Sequence, residues 1–106
     1  MSTENQYQAK LIKKLKTLFP ECIILKNDAA YQQGILDLLL LHGKKWASLE
    51  VKRSADAAVQ PNQDHFVKKL AKMSFASYIY PENETEVLSA LQQAFKPSRR
   101  TRISKS

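Results

Sequence analysis

Cysteine is nearly absent from this chain of 106 residues. Cys22, on its own, can form neither an internal disulfide nor a cysteine metal cluster, and a reducing, cytosolic setting fits that usage. It reads as a buried small apolar residue on a short strand. No apolar stretch approaches the roughly 18 residues that span a bilayer, and Met1-Ser2-Thr3-Glu4 lacks the basic and apolar regions of a secretory leader. A cytoplasmic protein with no membrane partner is expected. Internal repeats are also missing, and His42 and His65 have no partner at metal-ligand spacing; they read as a turn residue and a solvated helix residue. Acidic residues are the minority, 10 against 17 Lys and Arg, for a net charge of +7. That balance implies an anionic partner, with nucleic acid the leading candidate. A chain this short is one domain with one core, so any function must sit on the core itself.

What is present is an acid in an unexpected place. Asp37 lies inside the apolar run Ile35-Leu36-Asp37-Leu38-Leu39-Leu40-Leu41, and twelve residues separate it from Glu50-Val51-Lys52. An unpaired carboxylate in such a strand would cost several kcal/mol of desolvation. The spacing predicts strands over 35–41 and 46–52, joined by a two-residue turn with Gly43 at its first central position, where positive φ is needed. With His42 facing Lys45, Asp37 falls opposite Glu50, their Cβ atoms about 5 Å apart, where two like charges call for a cation between them. Lys52 shares that face at the strand period.

The remaining pattern alternates helix and strand. Ser2 or Thr3 caps a first helix through Leu18 with the stripe Tyr7, Leu11, Leu15 and Leu18. Residues 22–26 read as a short strand and 27–33 as a loop. Pro61 suits the first position of a helix reaching Ser74, with Phe66, Val67, Leu70 and Met73 facing inward. Residues 75–80 form a fourth strand. Asn83 with Glu86 resembles a capping box opening a last helix that carries Val87, Leu88, Leu91 and Phe95. The order is αβββαβα, an α/β fold over residues 1–95, followed by a polar basic tail over 96–106 with too little apolar content to fold. Trp46 reads as a sheet anchor.

Gly34-Ile35-Leu36-Asp37, then Glu50-Val51-Lys52, then Gln63 opening a helix, resembles the PD-(D/E)xK nuclease superfamily, and most closely its phage-type branch of virus-type replication-repair (VRR-NUC) nucleases. The likeness runs from Glu4 to the Tyr80-Pro81-Glu82-Asn83 stretch. It departs at Leu36, where the family often has proline. The resemblance implies a restriction-endonuclease-like core, a mixed sheet flanked by helices, with one or two Mg²⁺ or Mn²⁺ ions. It implies phosphodiester hydrolysis leaving a 5′-phosphate and a 3′-hydroxyl. Asp37 and Glu50 match the family's metal ligands, the Val51 carbonyl and Glu4 complete the shell, and Lys52 matches the residue that positions or activates water.

The residues themselves agree: hard oxygen donors without His or Cys suit Mg²⁺ or Mn²⁺ rather than zinc. Gln63 faces inward although polar, which suits a bond to the lysine or to a phosphate; its plainer reading is an amide satisfied by backbone near a helix start. Glu4 has a plainer reading as a first-turn acid that complements the helix dipole. Gln8, Lys44, Lys45, Arg53, Lys68, Lys69 and Lys72, with Arg99, Arg100 and Arg102 of the tail, are the expected DNA contacts. The expected activity is that of a structure-selective endonuclease on branched DNA such as Holliday junctions, with host-cell cytoplasm as its setting if a phage encodes it. Two coordinated cuts from one-site domains require a homodimer.

Overall fold

The computed structural model describes residues 3–28 and 34–96. Helix α1 (Glu4–Leu18) leads to β1 (Ile23–Lys26), β2 (Leu38–His42), β3 (Lys45–Val51), α2 (Pro61–Met73), β4 (Phe75–Ile79) and α3 (Glu84–Phe95). This is the αβββαβα order expected, folded as an α/β domain. Thr3 caps α1 through a reciprocal pair in which its Oγ1 accepts from Gln6 N–H at 3.1 Å and Gln6 Oε1 accepts from Thr3 N–H at 2.9 Å.

The sheet order is β1-β2-β3-β4. The first three strands are antiparallel, and β4 returns parallel to β3 after the α2 crossover. The hairpin has the expected register, with His42 opposite Lys45 and Leu38 opposite Leu49. Gly43 makes this possible with φ of 63° and nothing within 4 Å of where a Cβ would stand. One face carries Leu38, Leu40, Ala47, Leu49, Val51 and Ile79, all fully buried beneath Leu11 and Leu15 of α1 and Leu91 of α3. Truncating any one of these leucines to Ala should cost about 2–5 kcal/mol. The opposite face is covered by α2 over β3 and β4.

Several local expectations are corrected. The β2 ladder begins at Leu38 rather than Ile35, for a reason that belongs to the site. Asn83 does not close a capping box: its Oδ1 accepts from Tyr80 N–H and its Nδ2 donates to the Tyr78 carbonyl, tying the turn back to β4. Met73 faces outward at 65 % exposure. Cys22 precedes β1 and is only half-buried. His42 ends β2 rather than sitting in the turn, its ring stacked on Phe95 at 4.9 Å between centroids.

Candidate active site

The sheet opens at Asp37. In the hairpin register, Val51 N–H would bond a backbone carbonyl of the preceding strand; instead it donates to Asp37 Oδ2 at 2.8 Å. The side chain replaces the ladder, and the chain turns away toward β1. Asn27 receives it: Asn27 N–H donates to the Asp37 carbonyl at 2.8 Å and its Nδ2 to the Leu36 carbonyl at 2.7 Å. The fork leaves a cleft of about 290 Å³ whose lining includes Asp37, Glu50 and Gln60 to Gln63. Gly34 makes the close approach to α2 possible, since a Cβ there would lie 2.8 Å from Asn62 Cβ, and its φ is 87°.

Four polar side chains converge beside this cleft. Glu50 is 2 % exposed and Lys52 7 %. Glu50 Oε1 accepts from Asp37 N–H at 3.2 Å, and Oε2 accepts from Gln63 Nε2 at 2.7 Å. Lys52 Nζ donates to Gln63 Oε1 at 2.8 Å and to the Ala58 carbonyl at 3.0 Å, and lies 3.8 Å from Glu50 Oε2. An ammonium has only donors, so it must face the oxygen of the Gln63 amide, which turns the nitrogen toward Glu50. Gln63 thus orders the acid and the lysine together.

Electrostatics set the character of the pair. Burial, followed by the neighbouring Asp37 carboxylate, pushes Glu50 up to about 7. Burial also raises Asp37, against the opposing pull of the Val51 N–H and the Lys52 ammonium. The two acids resist ionising together, and Lys52 offsets only part of their charge. Glu4, exposed at the start of α1, adds a minor repulsion to Glu50. Among the described residues no group of three or more His, Cys, Asp and Glu side chains is placed to hold a metal ion. The donor set still fits a hard divalent cation, which takes carbonyl and water oxygens alongside one or two carboxylates.

Other expected contacts are distributed differently. Lys45 is not free for DNA: its Nζ donates to the carbonyls of Ala94 at 3.1 Å and of Lys96, capping the end of α3. With Lys44 it stands at the hairpin turn, the opposite end of β2 and β3 from Asp37 and Glu50. Gln8 is buried at 8 % exposure, so it is not a surface contact. Arg53, Lys68, Lys69 and Lys72 are exposed, with Lys68 paired to Asp64 at 3.1 Å. Arg99, Arg100 and Arg102 lie outside the described residues. Asn27 and Gly34 carry the fork, and sequence reasoning gave neither a role beyond loop and motif; a side-chain amide ending a strand beside a lone acid is the signal that would have marked Asn27. No helix among the described residues is long and apolar enough to cross a membrane. No family model, curated protein or solved structure matches the chain.

Proposed function

We propose that this chain is a metal-dependent, structure-selective DNA endonuclease that hydrolyses phosphodiester bonds in branched DNA such as Holliday junctions. The observation that carries the reading is the fork at Asp37, where a half-buried and a buried carboxylate line an open cleft with Gln63, and Gln63 ties Glu50 to the buried Lys52 behind it. Burial and the mutual repulsion of the two acids oppose their ionisation, and a bound cation would relieve both. The motif likeness to the PD-(D/E)xK superfamily and the net charge of +7 support the same reading.

Asp37 and Glu50, with the Val51 carbonyl and water oxygens, would hold one or two Mg²⁺ or Mn²⁺ ions, which Glu4 could join only by a shift of the exposed first turn of α1. Such an ion, when bound, polarises the phosphoryl oxygen and lowers the pKa of bound water. Lys52 orients the attacking water and offsets negative charge that grows on the phosphate in the transition state. Gln63 keeps Lys52 and Glu50 in register with each other. Lys68, Lys69, Lys72 and Arg53 supply phosphate-backbone contacts that carry affinity rather than sequence preference. Two coordinated cuts require two copies of a one-site domain, hence a homodimer.

A nicking or restriction-type nuclease on other DNA or RNA would use the same residues. A non-catalytic nucleic-acid-binding protein on this fold would bind equally with Mg²⁺ or chelator and never cut. A panel of labelled four-way, flap, nicked and linear substrates, with Mg²⁺ and with chelator, tests the proposal. Metal-dependent cutting with preference for the four-way junction supports it; binding without cutting under every condition rejects it.

A further inference from the structure

Helix α1 carries four lysines and, in its first turn, a single acid, Glu4. Leu11 and Leu15 fix its inner stripe on the core, so Lys13, two residues from each, stands at the centre of the outer face, with Lys10 and Lys16 about 60° to either side. All three are exposed and pair with no acid among the described residues. Like charges three residues apart on a helix repel, and an anionic partner relieves that repulsion. Lys14 is set apart: it joins Tyr7 on Glu84, which with Glu82 and Glu86 makes the start of α3 acidic. Lys26, exposed at the end of β1, extends the basic strip toward the cleft. The strand period puts it on the α1 side with Ile24, and its ammonium favours ionised Asp37.

Both α1 and α2 start at the cleft. Glu4 is close enough to repel Glu50, and Gln60 and Gln63 line the opening. Both helices then run to the hairpin end of the sheet, α1 to the Phe19 contact with His42 and α2 to the bond from Ser74 Oγ to the Trp46 carbonyl. They do so on opposite faces, so Lys10, Lys13 and Lys16 look one way and the lysines of α2 the other. A straight duplex cannot lie on both. Duplex DNA has a persistence length of about 150 base pairs and does not fold back around one small domain, whereas a branched molecule sends arms in different directions from one point. We propose that the outer face of α1, with Lys26 at its cleft end, docks the phosphate backbone of a second duplex arm of the DNA cut at Asp37, while the α2 lysines hold the first. Lys10 to Lys16 span about 9 Å of helix, a reach of roughly two or three phosphates of one strand. The acidic start of α3 keeps the arm off the neighbouring helix. The docking face rests on the branched-DNA reading, and it places structure selectivity in two basic faces rather than in base contacts.

Fluorescence anisotropy of the full chain in chelator, on a four-way junction and on a linear duplex with the sequence of one pair of its arms, tests the docking face apart from cleavage. The Lys10→Gln/Lys13→Gln/Lys16→Gln protein should bind the junction about 10- to 100-fold more weakly than wild type, with the slope of log affinity against log salt flatter by roughly 2 to 3. Its affinity for the linear duplex, its far-UV spectrum and its melting temperature should stay at the wild-type values. Lys26→Gln, which leaves the helix untouched, should show the same selective loss with about one unit of slope. Lys68→Gln/Lys69→Gln/Lys72→Gln, by contrast, should weaken binding to both substrates. Junction binding in the α1 variant that matches wild type overturns the proposal. So does an equal loss on junction and duplex, and so does a wild type that binds neither. The expected pattern from a protein that cuts no DNA with Mg²⁺ or Mn²⁺ leaves the docking face standing and rejects the nuclease reading. An α1 variant that binds the junction as wild type does and still cuts it does the reverse.

Discussion

Replacing Glu50 by Gln removes the charge that burial and Asp37 most oppose, while keeping the shape of the side chain. A carboxyl whose folded pKa lies above its unfolded value binds its proton more tightly when folded, so the metal-free protein loses stability as pH rises from the ordinary 4.5 toward 7. The corresponding loss is about 3 kcal/mol as an upper bound, or roughly 12 °C in melting temperature at about 4 °C per kcal/mol. The substitution also leaves one of the two donors to Glu50, Asp37 N–H or Gln63 Nε2, without its acceptor. That penalty is an offset of about 1–3 kcal/mol that does not change with pH. The informative quantity is therefore the difference in stability between wild type and Glu50→Gln, measured by thermal melts in chelator from pH 4 to 8. It should fall across the window from 4.5 to 7, and millimolar Mg²⁺ at pH 8 should restore the wild type but not the variant. A difference that stays flat from pH 4 to 8, with no response to Mg²⁺, would refute the buried-pair argument.

Lys52→Ala should lower the cleavage rate by roughly 10² to 10³ while leaving the affinity for junction DNA nearly unchanged, as read by single-turnover kinetics beside a binding titration. Gln63→Leu should slow cleavage by about 10- to 100-fold, because the lysine and Glu50 lose their common partner. Gly34→Ala should destabilise by about 1–3 kcal/mol in chemical denaturation, since its φ of 87° and the Asn62 contact both oppose a Cβ. Lys45→Ala should cost about 0.3–1 kcal/mol of stability and leave DNA affinity unchanged, in keeping with its place at the end of α3. Removing residues 97–106 should leave the melting temperature nearly unchanged and flatten the salt dependence of DNA binding, by roughly one unit of slope for each phosphate no longer neutralised.

The hairpin was legible because its determinants are local. Gly43 sets the turn, the turn sets the register, and the register brings Asp37 and Glu50 together. Gln63 was legible for a similar reason, as a polar residue on the inward stripe of a helix. The fork was not legible. It depends on Asn27 holding the Leu36 and Asp37 carbonyls from the end of another strand, a long-range competition between side chain and ladder that periodicity does not register. The strand period places Lys52 on the face of Asp37 and Glu50 but does not show its burial, in which the Ala58 carbonyl and Gln63 enclose it. Lys45 and Met73 fail for complementary reasons. The lysine finds helix-end carbonyls on α3, and the methionine continues an apolar stripe beyond the part of the sheet that α2 covers.

Cleavage of a labelled four-way junction by wild type, Asp37→Asn and Lys52→Ala, with Mg²⁺ and with chelator, tests the account most directly. Wild type with Mg²⁺ should cut, leaving 5′-phosphate ends; Lys52→Ala with Mg²⁺ should cut roughly 10² to 10³ more slowly, and the other combinations should bind the junction without cutting it. Cutting that survives chelator, or that persists at the wild-type rate in either variant, would contradict the assignment of the site.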